Sequence, residues 1–164
     1  MKPRVIRKTI PCAMTIAGSD SGGGAGIEAD LKTFAALGVF GTCTITAITA
    51  QNTLGVYEVF PLPPRMVKRQ IAAVLEDIPI KTVKTGMLYS GEIVRVVSEA
   101  IEKYRLNAVV DPVFRAGSGD PLIQERDVDV LIDLMVPRSL VLTPNLPEAE
   151  RITGMSIKLS LIHI

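Results

Sequence analysis

A glycine-dense segment from Gly18 to Asp30, with the sequence GSDSGGGAGIEAD, is the part of the chain best suited to holding a ligand. Glycine lets the backbone approach a ligand because no Cβ stands in the way. A helix that begins at such a segment also supplies unpaired N–H groups, which favour anions. The glycine spacing fits neither a GxGxxG dinucleotide loop nor a phosphate loop that ends in Lys-Ser/Thr. The segment is therefore predicted to be a ligand-binding loop or, alternatively, only a tight turn from strand to helix.

Two polar side chains near this segment could recognise a small heterocycle. Asp30 lies on the first turns of the predicted helix, where the helix dipole favours a carboxylate even without a function. As a functional residue it would accept hydrogen bonds from a ligand in the crevice. Gln51 follows a long apolar run, and its amide both donates and accepts, which suits the edge of an aminopyrimidine. The alternative is that Gln51 belongs to a loop that merely needs polar residues.

Three further polar residues could face a phosphate or a metal ion. Asp111 ends an apolar, strand-like run, a frequent position for an acid of this kind. Asn145 and Glu148 are three residues apart, so they would lie on one side of a first helical turn. Their oxygens could organise Mg²⁺ through water, since Mg²⁺ usually keeps several waters. The same spacing also fits a helix capping box, and both interpretations can hold together.

The elements that must position these residues alternate between strands and helices along the chain. Apolar and β-branched runs predict strands at 12–17, 42–50, 81–85, 108–111 and 140–143, with a short flap strand at 55–61. Helical spacing predicts helices at 27–37, 65–77, 92–104 and 128–135, and a further one at 147–153. This alternation predicts an α/β fold, a doubly wound and mostly parallel sheet with helices on both faces.

The ligand crevice of such a sheet lies outside the carboxyl ends of its strands. The residues that follow the predicted strand ends are Gly18, Gln51, Gly86, Asp111 and Pro144. The polar residues singled out above therefore belong to the side of the sheet where ligands bind.

The composition excludes two classes of partner. Hydrophobic residues make up 48% of the 164 residues and the mean hydropathy is +0.34. The apolar runs are nevertheless far shorter than the ~20 residues that a bilayer requires, so we expect strands buried on both faces and no membrane partner. A net charge of +1, with four Phe and three Tyr, predicts no nucleic-acid partner. Cys12 and Cys43 fall in strand-like runs, which predicts two buried thiols in a reducing cytoplasm.

Five segments, in order along the chain, resemble those of the hydroxymethylpyrimidine/phosphomethylpyrimidine kinases of the ribokinase-like superfamily. They are GSDSGGGAGIEADLKTF, TAITAQNTLGV, KTGML, DPVFRAGSGDPL and TPNLPEAE. The resemblance runs from about residue 13 to residue 154. It implies phosphorylation of the hydroxymethyl group of a thiamine-precursor pyrimidine, and then of the resulting monophosphate, with ATP and Mg²⁺. It further implies a cytoplasmic enzyme that forms a homodimer around the excursion after the second strand.

The resemblance also implies two groups of binding residues. Those expected to line the pyrimidine pocket are Gly18, Asp30, Gln51, Met87 and Val113. Those expected on the cofactor side are Asp111, Asn145 and Glu148, with Asp111 and Glu148 as metal ligands. Asp30 and Gln51 would contact the ring nitrogens and the exocyclic amine of the pyrimidine.

The chain departs from the family pattern in one visible place. Bacterial relatives often carry Lys in an Ala-Lys-Ser-Gly stretch, where this chain has Gly117 after Ala116. A positive charge near the phosphates is then either missing or supplied by Arg115.

The segment that performs the transfer in this family is not found in the sequence. A Gly-Thr-Gly-Cys segment at a helix N-terminus supplies the anion hole and the catalytic base in the family. The Gly-Ser-Gly-Asp stretch that ends at Asp120 looks similar but occupies a different place, before Pro121-Leu122, so Asp120 is not assigned as the base. We therefore assign no catalytic residue and expect little or no turnover from this chain.

The sequence further predicts that 1–158 form the N-terminal part of a single kinase domain, incomplete at the C-terminus. Residues 159–164 have the sequence LSLIHI, which matches a translation of a sequencing-adapter end, so we expect a non-native tail. Two alternative functions remain open at this point. One is a pyridoxal/pyridoxine kinase, which shares the fold, although the segments around Gln51 and 22–29 favour the pyrimidine. The other is a pyrimidine-binding module without catalysis.

Overall fold

The computed structural model describes residues 10–117 and 119–157. Its strands are β1 (Cys12–Asp20), β2 (Phe40–Asn52), β3 (Gly55–Pro61), β4 (Thr82–Thr85), β5 (Asn107–Val110) and β6 (Ser139–Leu142). Its helices are α1 (Gly26–Ala36), α2 (Pro64–Leu75), α3 (Gly91–Tyr104), α4 (Glu125–Met135) and α5 (Leu146–Thr153). A short 3₁₀ turn (Val136–Arg138) joins α4 to β6. The expected tail at 159–164 lies outside the described residues.

The strands form one sheet in the order β3-β2-β1-β4-β5-β6. Each neighbouring pair is parallel except β2 and β3, which form an antiparallel hairpin. The chain thus starts in the interior of the sheet and winds outward in both directions, with β4 following β1 on the opposite side from β2. This arrangement confirms the predicted doubly wound, mostly parallel sheet.

Helices cover both faces of the sheet, and side-chain alternation along the strands decides which helix meets which face. Thr15 and Lys84 contact α1 through Asp30. Their neighbours Met14 and Val83 point the other way and are fully buried in the main core, to which α2, α3 and α4 also contribute. The large core therefore lies on one face, and the α1 face carries the polar groups.

Local sequence explains where the helices begin and end. The Ser90 side chain accepts a hydrogen bond from the Ile93 N–H at the start of α3, and Asn145 with Glu148 forms a complete capping box on α5. Gly38 has a φ of 70° just beyond α1, as expected for a glycine that stops a helix. The start of α4 lies three residues before the predicted one, because its first turn is polar and shows no apolar periodicity.

Three expectations need correction. Gly18 and Gln51 do not follow their strands but lie inside β1 and β2, next to irregularities in pairing between Ala17 and Ser19 and between Ala50 and Gln51. Asp111 follows β5 rather than ending it. The predicted burial of both thiols is also wrong, because the side chains of the two cysteines are half-buried.

Among the described helices, none combines the length and apolar character that a membrane crossing needs.

Candidate functional site

A cavity of about 300 Å³ opens on the α1 face, near the carboxyl ends of β1, β2, β4 and β5. Six of the residues predicted from sequence line this cavity: Gly18, Asp30, Gln51, Met87, Asp111 and Val113. The cavity therefore gathers the whole predicted pyrimidine group together with one residue of the predicted cofactor group.

The apolar wall of the cavity is a small cluster separate from the main core. Ala47, Met87 and Leu122 are buried in it, and Val113 packs against them. Gly18 permits this packing, because a Cβ at that position would come within 3.1 Å of the Met87 sulfur. The wall offers a flat heterocycle an apolar contact surface with a polarizable sulfur.

A lysine that the sequence analysis did not select lies among the acids of the cavity. The Lys84 ammonium nitrogen is 3.1 Å from Asp30 Oδ2 and 3.8 Å from Asp111 Oδ2. Asp30 Oδ2 also accepts a 2.6 Å hydrogen bond from the Thr15 hydroxyl. The polar side of the cavity thus holds one ammonium paired with two carboxylates, and its residues come from β1, β4, α1 and the segment after β5.

Burial raises the pKa of the Asp111 carboxyl above its ordinary value. The positive charge of Lys84 opposes this shift, whereas the negative charge of Asp30 adds to it. Asp111 therefore holds its proton more tightly than an exposed aspartate would.

The glycine-dense segment is held together by two carboxylates of its own. Asp20 accepts hydrogen bonds from the N–H groups of Gly22 (2.8 Å), Gly24 (3.0 Å) and Ala25 (2.8 Å). Glu28 bends back from the third residue of α1 and accepts from the Asp20 N–H at 2.7 Å. The expectation that these N–H groups would be offered to a bound anion is therefore wrong for the ones that the two carboxylates occupy. The segment is a tight turn that also lines the cavity.

Gln51 is placed by contacts to the same turn. Its backbone N–H donates to Ser21 Oγ at 2.9 Å, and its carbonyl accepts from the same hydroxyl at 2.7 Å. Its side-chain amide oxygen accepts from the Thr49 hydroxyl at 3.2 Å. Gln51 also lines the cavity, where its side-chain amide can both donate and accept hydrogen bonds.

Asn145 and Glu148 line a second cavity of about 480 Å³, which lies between the loop after β5 and the helices α4 and α5. The Glu148 carboxylate is 4% exposed and accepts from the backbone N–H groups of Asn145 at 2.8 Å and Phe114 at 3.4 Å. The capping interpretation is confirmed. Both Glu148 oxygens are already engaged with the backbone.

Arg115, Ala116 and Gly117 line both cavities. Arg115 donates from Nη1 to the Gly119 carbonyl at 3.1 Å. Its cationic side chain thus lies on the partition between the two cavities, next to the place where the sequence departs from the pattern of its relatives.

The comparisons with known proteins show which family the chain belongs to. The sequence model of a family described as Phosphomethylpyrimidine kinase matches residues 20–161. The hydroxymethylpyrimidine/phosphomethylpyrimidine kinase of Bacillus subtilis (strain 168) is 53% identical over 146 residues, which are 88% of this chain and 54% of that protein. The same-named protein of Haemophilus influenzae is 50% identical over 145 residues, which are 88% of this chain and 54% of that protein.

The chain belongs to the phosphomethylpyrimidine kinase family. A solved structure of phosphomethylpyrimidine kinase from Clostridium difficile 630 superposes with a TM-score of 0.84 at 51% identity, covering 90% of this chain and 64% of that one. An ADP complex of Bacillus subtilis pyridoxal kinase superposes with a TM-score of 0.80 at 35% identity, covering 92% of this chain and 57% of that one. The family and fold expected from the sequence motifs are thereby confirmed. The chain spans about half the length of the curated relatives it matches.

Three residues that build the site were not predicted from the sequence: Lys84, Asp20 and Glu28. A signal for Lys84 was present, because an ionisable residue at the middle of a short strand that is buried on both sides is costly without a partner. Its neighbours Val83 and Thr85 are both fully buried. Asp20 and Glu28 carried no comparable signal, since acids in a polar turn and in a first helical turn are common.

Proposed function

We propose that this chain belongs to an ATP-dependent kinase that phosphorylates 4-amino-5-hydroxymethyl-2-methylpyrimidine and then its monophosphate, in thiamine biosynthesis. The observation that supports this most directly is the first cavity, which brings Asp30 and Gln51 together over the apolar wall at Met87 and Val113. An aminopyrimidine presents one edge of donors and acceptors and two apolar faces. The cavity offers a complementary combination of a carboxylate, an amide and a hydrophobic surface.

The side chains would divide the work of recognition by their chemistry. Asp30 is an acceptor when ionised and would take a hydrogen bond from the exocyclic amine. Gln51 would donate from its NH₂ group to a ring nitrogen, because an amide NH₂ is a donor and a pyrimidine ring nitrogen is an acceptor. Met87 and Val113 would pack against the ring, and Gly18 provides the room for that contact.

The cofactor side of the proposal rests on Asp111, Asn145 and Glu148. Mg²⁺ is commonly held by one or two carboxylates together with waters and substrate phosphates, where it neutralises phosphate charge. The half-buried Asp111 carboxylate fits this role. Glu148 fits only through its remaining lone pairs and a bridging water, because both of its oxygens accept backbone N–H groups. Asn145 would act mainly by capping α5, and Arg115 would supply the positive charge toward ATP phosphates.

Transfer of the phosphoryl group needs an anion hole and a group that accepts the hydroxyl proton. We assign neither to residues of this chain, which contains no Gly-Thr-Gly-Cys segment. We propose that 1–158 are part of one kinase domain and that 159–164 are non-native. Nucleotide sequence around codon 159 tests the second point: an open frame that continues with other codons in the source genome would refute it.

Turnover should be tested in two proteins side by side. One is the 164-residue chain, and the other, called the extended protein, is residues 1–158 followed by the C-terminal remainder of the Bacillus subtilis relative. Each is incubated with ATP, Mg²⁺ and hydroxymethylpyrimidine, and the mono- and diphosphate products are quantified by mass spectrometry. We expect both products from the extended protein and little or none from the chain alone. Absence of product from a folded extended protein would contradict the proposed function.

The same assay separates the two alternatives. A pyridoxal kinase is the second candidate, since a solved pyridoxal kinase superposes on the chain. With pyridoxine and hydroxymethylpyrimidine in competition, we expect the pyrimidine to be phosphorylated preferentially. A pyrimidine-binding module without catalysis would instead bind the pyrimidine in both proteins and yield product in neither.

We also propose that the whole protein is a cytoplasmic homodimer. The support for a dimer is the hairpin strand β3, which lies at one edge of the sheet and exposes Tyr57 and Phe60, 67% and 63% of whose surfaces are accessible. The support for the compartment is that Cys12 and Cys43 are unpaired, as cysteines are in a reducing environment. Light scattering of the extended protein and fractionation of cells that express it test the two points.

A further inference from the structure

Lys84 occupies a place that strands of parallel sheets rarely give to a charged residue. It lies in the middle of β4, which pairs with β1 on one side and β5 on the other. Its side chain is 26% exposed, and its ammonium group contacts Asp30 and Asp111 across the floor of the first cavity. Pairing offsets the cost of partly burying an ammonium group, and Lys84 is paired with two carboxylates.

The contacts of Asp30 show what the ammonium does. Asp30 Oδ2 receives two donors, the Thr15 hydroxyl at 2.6 Å and the Lys84 ammonium at 3.1 Å. These donors come from adjacent strands, β1 and β4, and so they fix the carboxylate relative to the sheet. Oδ1 receives no hydrogen bond from any of the residues that the structure describes. One oxygen is held by the protein and the other remains available to a ligand.

The positive charge of Lys84 also reduces the repulsion between the carboxylates of Asp30 and Asp111. Asp30 and Asp111 each lie within 4 Å of the same ammonium, on either side of it. Two carboxylates that share a partly buried site repel each other, and an interposed cation removes most of that cost. Without the ammonium, Asp30 would lose a hydrogen bond and face Asp111 unscreened, so its carboxylate would rotate away.

We propose that Lys84 is a positioning residue, which orients the Asp30 carboxylate so that Oδ1 meets the exocyclic amine of the pyrimidine. This inference rests on the proposed function, because it takes the pyrimidine as the ligand of the cavity. Lys84 acts through Asp30 and needs no contact with the ligand. Its three donors and its length match a carboxylate held at this distance, whereas a neutral side chain of similar length would fill the space without holding the acid.

Binding of hydroxymethylpyrimidine to the 164-residue chain, measured by calorimetry, tests the inference. We expect Lys84→Met to weaken binding by about ten- to a hundredfold, the usual effect of losing a hydrogen bond to a charged group. Lys84→Arg keeps the charge and should bind at least about threefold more tightly than Lys84→Met. The matched control is Lys68→Met, because Lys68 pairs with Glu99 at 3.6 Å on the surface, where both side chains are 68% exposed. We expect no change in binding there.

Two double-mutant cycles separate positioning from a general loss of structure. If Lys84 acts through Asp30, Lys84→Met should change binding by less than about threefold in an Asp30→Asn background. In an Asp111→Asn background it should keep most of its effect. Full, additive losses in the Asp30→Asn background would overturn the inference, and so would unchanged binding by a folded Lys84→Met variant. If the unsubstituted chain does not bind the pyrimidine, the proposed function fails first and the role of Lys84 fails with it.

Discussion

Asp111 is partly buried near another acid, Asp30. We therefore expect its ionisation to lower the free energy of unfolding of the chain. Burial raises its pKa, Asp30 adds to the rise, and Lys84 opposes it. An acid with a raised pKa binds its proton more tightly in the folded state than in the unfolded state. Its ionisation therefore lowers the free energy of unfolding as the pH increases from the ordinary aspartate pKa, about 3.9, through the raised value.

We expect Asp111→Asn to raise the melting temperature of the chain at pH 7 and to raise it less as the pH falls toward 4. Thermal unfolding followed by circular dichroism over pH 4–8 measures the difference. Asp129→Asn is the control, because Asp129 forms a surface pair with Arg151 at 2.8 Å and is 71% exposed. A lower melting temperature for Asp111→Asn at pH 7 would show that the ion pair with Lys84 outweighs the burial.

A second prediction at the residue scale concerns Asp20, which is 6% exposed and accepts three backbone N–H groups of the glycine-dense turn. Asp20→Ala removes the acceptor that these three N–H groups share and that holds the turn together. We expect it to reduce the free energy of unfolding by about 2–4 kcal/mol, as for other lost hydrogen bonds to a buried charged group. Urea denaturation of the chain measures this, with Asp129→Ala as the surface control. Equal stability of the two variants would mean that water replaces the carboxylate.

Single residues of the site were predictable only where a residue type was unusual for its place. Asp30 stood out on the first turns of a predicted helix and Gln51 at the end of an apolar run, and both line one cavity. Asn145 and Glu148 were equally visible, but their spacing suited two roles, and the structure shows the capping role directly. The contact between Lys84 and Asp30 joins residues 54 positions apart. No spacing within the sequence could have predicted it.

At the scale of elements, the turn between β1 and α1 depends on the backbone of Gly26. Its φ is 58°, and a Cβ there would overlap the Gly18 carbonyl oxygen. Gly38 has a similar φ of 70° but no atom within 4 Å of the corresponding Cβ position. The two glycines thus form a matched pair that differs only in available space.

We expect Gly38→Ala to reduce the free energy of unfolding by about 1–2 kcal/mol, the cost of a left-handed backbone for a residue with a Cβ. Gly26→Ala should cost at least about 3 kcal/mol, because the clash adds to the same backbone term. Chemical denaturation compares the variants, and binding of hydroxymethylpyrimidine reports on the turn itself. If Gly26→Ala cost no more than Gly38→Ala, the close approach to Gly18 would not constrain the turn.

The periodicity of apolar residues predicted which segments are strands and which are helices. It predicted less accurately the residues at which these elements end. Strands β1 and β2 run on to Asp20 and Asn52, beyond the points where their apolar runs stop. Hydrogen bonding between neighbouring strands continues through polar residues, and a side-chain pattern does not record it. The irregularity at Gly18 lies in the pairing of β1 with β2, so the side-chain pattern of β1 alone does not record it either.

For the whole molecule, the sequence predicted the fold class but not the order of strands in the sheet. Alternating strands and helices predict a parallel sheet, but several orders satisfy that alternation. The structure places β3 at one edge and β6 at the other. The two edges differ, because β3 belongs to a hairpin, whereas β6 exposes Leu140 and Val141, neighbours that point to opposite faces, by 69% and 46%. Strand β6 is therefore poorly covered on both faces.

An edge strand that exposes apolar side chains on both faces is a site for unintended pairing between molecules. We expect the 164-residue chain to self-associate through β6 at micromolar concentration. Replacing Leu140 and Val141 together by Lys and Thr should increase the monomer fraction measured by size-exclusion chromatography with light scattering. A second variant replaces Tyr57 and Phe60 of β3 by Lys and Thr and should remove only association through the hairpin. In the extended protein the proposed dimer would respond to the β3 substitutions and not to the β6 substitutions. The opposite response of the extended protein would place the dimer contact at β6 and overturn the assignment to the hairpin.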